Sequence, residues 1–194
     1  MPLPPGLAER LQDPSLHAKV MGADEAAALI EVGANVGMSG FTGAAYPKAV
    51  PQALAARLAA LHAAGQTQAR IGLWTGASTG PELDGALASA QGIEMRLPYQ
   101  SDPTCRQQIN AGQMLYNDMH LSHVAQAAWY GLLGHLDVAV VEVAGVLPGG
   151  RLIPSTSVGN NKTWLDQADR IILEVNLHQS LALEGMHDIY HGTH

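Results

Sequence analysis

The run Gly76-Ala77-Ser78-Thr79-Gly80 sets a serine between two glycines in a GxSxG pattern, the spacing of a nucleophile elbow. A serine so placed attacks an ester or thioester when a histidine takes its proton and a carboxylate orients that histidine. The chain offers candidates in the order Ser78, then Asp118 or Asp137, then His187 or another downstream histidine. The pattern is short and no HG-type oxyanion loop precedes it, so a ligand-facing or structural turn is the competing reading. Two further stretches gather polar groups. Ser39 to Lys48 (SGFTGAAYPK) joins a strand pattern to a helix pattern, and a helix amino end offers free N–H groups to a phosphate or carboxylate. Its glycines, spaced GxxGxxG from Gly37, match neither the dinucleotide fingerprint nor the P-loop, and they equally suit a tight turn with positive φ. Ser155 to Lys162 presents hydroxyls and amides that can meet a ligand or, at Asn160 and Asn161, cap a helix.

Other reactive residue types are placed less favourably. His120 and His123 share one helical spacing, and His187, His191 and His194 another. The first group lacks the cysteine or carboxylates that complete a metal shell and the second lies near a chain end, so surface histidines are expected and no metal is assigned. Cys105 beside Arg106 is either a low-pKa thiol or, more commonly for a lone cysteine, a small buried apolar residue. Trp74, Trp129, Trp164 and Phe41 are expected in the core, since no basic patch accompanies them for base stacking.

Apolar patterning supplies the elements that must hold these loops. Strands are expected at Ala34 to Met38, Ala69 to Trp74, Ile93 to Leu97, Asp137 to Val146 and Ile171 to Asn176. Helices are expected from an Asp24 cap through Ile30, from Pro47 to Gly65, and over Leu83 to Ala90, Pro103 to Asn110, His120 to Leu133 and Asn160 to Ala168. In the second helix Val50, Leu54, Leu58 and Leu61 fall on one face, which should be buried. This alternation predicts an α/β fold with an open, mostly parallel sheet flanked by helices, as a single domain over 1–194. Ligands bind such sheets beyond the carboxyl ends of the strands, which is where the three polar loops lie.

Composition narrows the partners. Ten Lys and Arg against 17 Asp and Glu give a net charge of −7, which excludes a module that holds nucleic acid by neutralising phosphates. No stretch approaches the ~18 apolar residues of a membrane helix. The single cysteine cannot form an internal disulfide, and the opening MPLPPGLAER lacks the basic and apolar regions of a secretory signal. A cytoplasmic location is expected, with no membrane partner.

Taken together, SGFTGAAYPKAVPQAL (Ser39 to Leu54), TGASTGPELDGALA (Thr75 to Ala88), INAGQMLYNDMHLS (Ile109 to Ser122), SVGNNKTWLDQADRIILEVN (Ser157 to Asn176) and LEGMHDIY (Leu183 to Tyr190) resemble the acetyl-CoA hydrolase/transferase family, the class I CoA-transferases that act on acetate and succinate. The resemblance runs over nearly the whole chain and implies a CoA-transferase-like (NagB/RpiA-like) fold. It implies a reaction in which a glutamate attacks an acyl-CoA, forms a glutamyl-CoA thioester, and passes CoA to a carboxylate or yields to water. Family chains are more than twice as long, with two similar α/β halves and the nucleophile in the second. The present chain would then be the N-terminal half, inactive alone, and Glu142, Glu174 and Glu184 do not match the nucleophile. By resemblance, Ser78 and Thr79 face the acyl carboxylate, Gly40, Phe41, Thr42 and Gly43 form a signature loop beside the site, and Asn160 belongs to the SVGN region. Coenzyme A enters as substrate rather than as a bound cofactor. The implied partners are acyl-CoA, a small carboxylate, the C-terminal half and a second copy in a homodimer. Ala45 departs from the wider class, which has glycine there. Two other readings stay open, a serine hydrolase using Ser78 and a non-catalytic acyl-CoA-binding or assembly module.

Overall fold

The computed structural model describes residues 3–187. Its strands are β1 (Asn35–Met38), β2 (Ile71–Trp74), β3 (Ile93–Leu97), β4 (Leu115–Tyr116), β5 (Val138–Val146), β6 (Leu152–Pro154) and β7 (Arg170–Val175). They form one sheet in the order β4-β3-β2-β1-β5-β6, with β7 also paired to β5. Every pairing is parallel except β5 with β6. The sheet is therefore open, mixed and mostly parallel, flanked by helices as the alternation predicts. Parallel strands need crossovers, and helices fill them: α1 (Ala23–Ala28), α2 (Ala49–Ala63), α3 (Ala86–Ser89), α4 (Pro103–Asn110), α5 (Leu121–Trp129) and α6 (Asn161–Gln167). None of the described helices is long and apolar enough to cross a membrane.

The nine residues of β5 are all buried, because its side chains enter two cores in turn. Val138 and Val140 meet Ile30, Val36, Leu54, Leu58, Leu73 and Leu87 on one face. Ala139 and Val141 meet Trp74, Val124, Leu136 and Trp164 on the other. On α2, Val50, Leu54 and Leu58 are buried as their spacing predicts, while Leu61 is half-buried. Burying each such leucine contributes about 1.5–3 kcal/mol.

Several boundaries differ from the sequence reading. Asp24 lies inside α1, whose cap is Gly22, and the Gly22 N–H donates to the Glu25 carboxylate at 2.9 Å. The helix expected over Leu83 to Ala90 opens as a π-helical turn, Pro81–Gly85, that runs into α3. The helix expected over His120 to Leu133 stops at Trp129, where Gly131 at φ +69° turns the chain. That leaves Trp129 at a helix end and 53% exposed, and Phe41 at a loop tip and 39% exposed, so neither belongs to the core. Trp74 and Trp164 do, with ring centroids 6.0 Å apart.

Candidate functional site

The three polar loops converge at the carboxyl ends of β1 and β2, and glycines are what let them meet. A Cβ on Gly76 would stand 2.5 Å from the Gly40 carbonyl oxygen, 3.5 Å from the Asn160 nitrogen and 3.6 Å from the Gly159 Cα. A Cβ on Gly40 would stand 2.7 Å from Tyr46 Cβ and 3.0 Å from Thr79 Cγ2. Backbone thus packs on backbone among Gly40, Gly76 and Gly159. The first loop folds back through paired bonds between Phe41 and Ala44, N–H to carbonyl at 2.9 and 3.0 Å, with Thr42 and Gly43 at the exposed tip. Ala45, at φ +57° and buried, occupies the left-handed conformation that glycine adopts without strain. Asn160 sits at the cap position of α6 without a side-chain capping bond, and its Nδ2 and the Oδ1 of Asn161 are buried without a hydrogen-bond partner. The capping role is therefore not what holds these two amides in place.

Ser78 is buried and its hydroxyl engages the loop after β3. The Ser101 N–H donates to Ser78 Oγ at 3.0 Å, and the two hydroxyl oxygens are 2.6 Å apart, with Ser101 on the exposed side. Beneath them lies a fully buried ion pair. Arg96 Nε donates to Asp84 Oδ1 at 2.8 Å, and Asp84 Oδ2 accepts from the Thr79 N–H at 2.9 Å and the Thr79 hydroxyl at 2.8 Å. Arg96 also donates to the carbonyls of Ala77, at 3.2 Å, and Leu97. Burial alone would push the Asp84 carboxyl up, but the Arg96 charge and the hydrogen bonds from Arg96 and Thr79 prevail and hold it below its ordinary value. Cys105, also buried, donates its thiol to the Asp84 carbonyl. Burial, then the Asp84 charge, pushes that thiol up, which makes it the inert packing residue of the two roles open to it.

A second charged cluster braces the first loop. Glu142 on β5 is fully buried, and its carboxylate accepts from Lys48 Nζ at 2.8 Å, Ser155 Oγ at 2.7 Å, Asn176 Nδ2 at 3.0 Å and Gln179 Nε2 at 3.5 Å. Tyr46, under the Lys48 ammonium, donates to Glu82 at 2.6 Å. Burial and then the Glu82 carboxylate raise the Tyr46 phenol to about 12, and that bond lowers Glu82. The amino end of α2, read from sequence as open to an anion, is already occupied by one of the chain's own. Glu174 on β7 accepts from the N–H groups of Lys48, Ala49 and Val50 at 2.6, 3.1 and 2.9 Å.

Among the described residues no histidine bonds to Ser78, so no serine triad is assembled there. The hydroxyl of Ser78 bonds only to Ser101 and, at 3.4 Å, to the Thr79 carbonyl. Asp137 accepts from the Asn35 N–H at the amino ends of β1 and β5, across the sheet from Ser78, and Asp118 is exposed. His120 accepts from the Ser122 N–H at 3.3 Å at the start of α5, and its ring packs on His123. His191 and His194 lie outside the described residues. Two surface clefts, of about 350 and 420 Å³, lie elsewhere, one lined by Trp74, Trp129 and His135 and one by Glu31, Asp137 and Arg170. Neither is lined by a residue of the three loops.

Residues 7–192 match the model of the acetyl-CoA hydrolase/transferase N-terminal domain. The chain belongs to that family. It is 44% identical over 182 residues to a succinyl-CoA:acetate CoA-transferase of Clostridium kluyveri, covering 94% of this chain and 33% of the relative. It is 40% identical to a propanoyl-CoA:succinate CoA transferase of Escherichia coli, covering 87% and 34%. An acetyl-CoA hydrolase of Yarrowia lipolytica is 36% identical, covering 79% and 30%. The chain spans about a third of the length of these curated relatives. Among solved structures, glutaconate CoA-transferase from Acidaminococcus fermentans aligns with a TM-score of 0.58 at 14% identity, covering 80% of this chain and 68% of that one. RipA from Yersinia pestis aligns with a TM-score of 0.60 at 21% identity, covering 90% and 38%. At these identities the likeness is one of fold.

In this acetyl-CoA hydrolase/transferase domain, the structure adds residues that sequence reading missed. Ser101 had no motif of its own, and only its place just after a strand marked it. Asp84 and Arg96 fall inside an expected helix and an expected strand, where nothing in the sequence pairs them. Glu174 was set aside as a nucleophile candidate, and its capping role needed the pairing of β7 beside β5 to appear.

Proposed function

We propose that this domain forms one wall of the active site of an enzyme that moves CoA from a short-chain acyl-CoA to a small carboxylate such as acetate or succinate, or releases CoA as free thiol when water intervenes. The observation that carries this reading is the convergence of the Gly40, Gly76 and Gly159 loops, in a domain of this family, around hydroxyl and amide groups and no unpaired buried carboxylate. Ser78, Thr79, Gly40, Phe41, Thr42, Gly43 and Asn160 form the substrate-facing set. Ser78 and Thr79 lie at the carboxylate end, where the Ser78 hydroxyl suits an anion while Asp84 holds the N–H and hydroxyl of Thr79. Asn160 contributes the amide that has no partner in the fold. The covalent step is a carboxylate attack on the thioester carbonyl, which expels the CoA thiolate and leaves an acyl anhydride. The thiolate then attacks the enzyme carbonyl of that anhydride and expels the donor carboxylate to give the glutamyl-CoA thioester, and the acceptor carboxylate runs the same exchange in reverse.

In this scheme the nucleophilic glutamate lies outside the described residues, in the length that relatives have and this chain lacks, and coenzyme A comes and goes as substrate. A homodimer in the cytoplasm completes the reading. The test incubates the 194-residue chain with acetyl-CoA, or with succinyl-CoA plus acetate, and follows free thiol. No turnover is expected from the chain alone, and turnover is expected once the remaining length is supplied. Turnover by the chain alone that Ser78→Ala abolishes would instead establish a serine hydrolase. Acyl-CoA binding without turnover in both forms would establish a binding module.

A further inference from the structure

The Asp84–Arg96 pair touches none of the space outside the protein, yet its bonds run to the residues on either side of Ser78. Both side chains are fully buried. Beyond the pair itself, Asp84 holds the Thr79 N–H and hydroxyl, and Arg96 holds the carbonyls of Ala77 and Leu97. Burying two charges is expensive, and a well-packed apolar pair of similar volume serves stability at least as well. Asp84 also sits in a π-helical turn, Pro81–Gly85, an irregularity that recurs at functional sites. An α-helical start would advance the side chain differently around the axis and take the carboxylate off the loop.

We propose that Asp84 and Arg96 are positioning residues that fix the Ala77–Thr79 loop at the geometry a substrate carboxylate needs. Arg96 clamps the loop's carbonyl side and Asp84 its amide side, so Ser78 is held between two charge-assisted anchors. The flanking groups are thereby set before a ligand arrives, the condition under which hydrogen bonds favour the transition state most. This inference rests on the substrate-wall reading above.

The test uses the protein in the length its gene encodes and compares wild type with the double variant Asp84→Leu/Arg96→Met, in which no charge is left unpaired. A merely structural pair predicts a folded double variant with unchanged kinetics. Positioning predicts a melting temperature close to wild type and a KM for the carboxylate acceptor raised about tenfold, with kcat less affected. His135→Gln, on the remote exposed pair with Asp169, is the control and should match wild type. A folded double variant whose acceptor KM stays within twofold of wild type overturns the proposal. Should the double variant fail to fold, Arg96→Lys keeps a charge beside Asp84 while removing the fork that reaches Ala77. The same rise in KM is then expected, and an unchanged KM overturns the proposal. A wild-type protein without CoA transfer refutes the substrate-wall reading instead. The positioning role is then read by titrating propionate while following the Ser78 and Thr79 amide resonances. Binding lost in the variant supports it, and equal binding, or none in wild type, overturns it.

Discussion

Gly76→Ala probes the meeting of the three loops with a single methyl group. Gly76 does not have a positive φ, so alanine strains no backbone there, and the whole effect comes from what the Cβ meets. It meets the Gly40 carbonyl oxygen at 2.5 Å, and reaching even 3.0 Å, below which real Cβ contacts essentially never fall, needs about 0.5 Å of movement. All the neighbours are backbone, of Gly40, Asn160 and Gly159, so none can rotate away. Overpacking of this kind costs roughly 1–3 kcal/mol. For a chain of this size that lowers the melting temperature by roughly 2–12 °C. A misplacement of about 1 Å costs on the order of a hundredfold in rate, so half of that predicts about a tenfold loss of kcat/KM for CoA transfer. The comparison is Gly65→Ala after α2, where nothing lies within 4 Å and φ is +91°. That change carries only the left-handed penalty of about 1–2 kcal/mol at an exposed position away from the loops. Thermal melts and a free-thiol assay of both variants decide. Wild-type kcat/KM in a folded Gly76→Ala protein would refute the claim that these loops form one site.

Asp84 titrates below its ordinary value of 3.8, so its pair contributes stability above that pH and loses it as acid protonates the folded form. The wild-type melting temperature should therefore fall more steeply below about pH 4 than that of Asp84→Leu/Arg96→Met, and parallel profiles would contradict this. Cys105 should resist an aromatic disulfide reagent in the native protein and react stoichiometrically in denaturant. Prompt labelling of the native thiol would show that this packing is wrong. Ala45→Gly removes a left-handed strain of about 1–2 kcal/mol and adds an unfolded-state entropy cost of about 0.4–1 kcal/mol. A rise of about 1–4 °C in melting temperature is expected, and a fall would show that the loop has no strain to relieve. Ser78 should not be labelled by a fluorophosphonate, because its hydroxyl pairs with Ser101 and not with a base. Labelling would revive the serine nucleophile.

How much of this was legible beforehand depended on how far each signal reached along the chain. β5 could be read because eight of its nine residues are apolar or glycine and call for burial on both faces, and α2 because its leucines repeat at helical spacing. β4 has two residues and β6 has three, too few for any period to show, and β6 exists only because the turn at Pro148–Gly150 folds the chain back on β5. The loops after β1 and β2 were legible from glycine and hydroxyl content at strand ends. Their contact was not, because it depends on Gly159 standing beside Gly76 across more than eighty residues of sequence. The buried pairs were hidden for the same reason. Lys48 and Glu142 are 94 residues apart, and an alternating strand would place Arg96 toward solvent until the Pro81–Gly85 turn brings Asp84 against it.

The same pairs bear on where the chemistry must come from. A carboxylate that attacks a thioester needs an oxygen free to reach the carbonyl carbon. Glu142 has neither, since Lys48 and Asn176 bind one oxygen while Ser155 and Gln179 bind the other. Glu174 is spent on three N–H groups of α2, and Asp84 on Arg96 and Thr79. Each of these acids is committed to holding a loop or a helix in place, and withdrawing Asp84 would leave the buried Arg96 unpaired, withdrawing Glu174 the amino end of α2. Among the described residues beside the loops, the donor left without a partner is the Asn160 amide. On the proposed reading these three acids brace one wall of a shared site, and the attacking carboxylate comes from elsewhere.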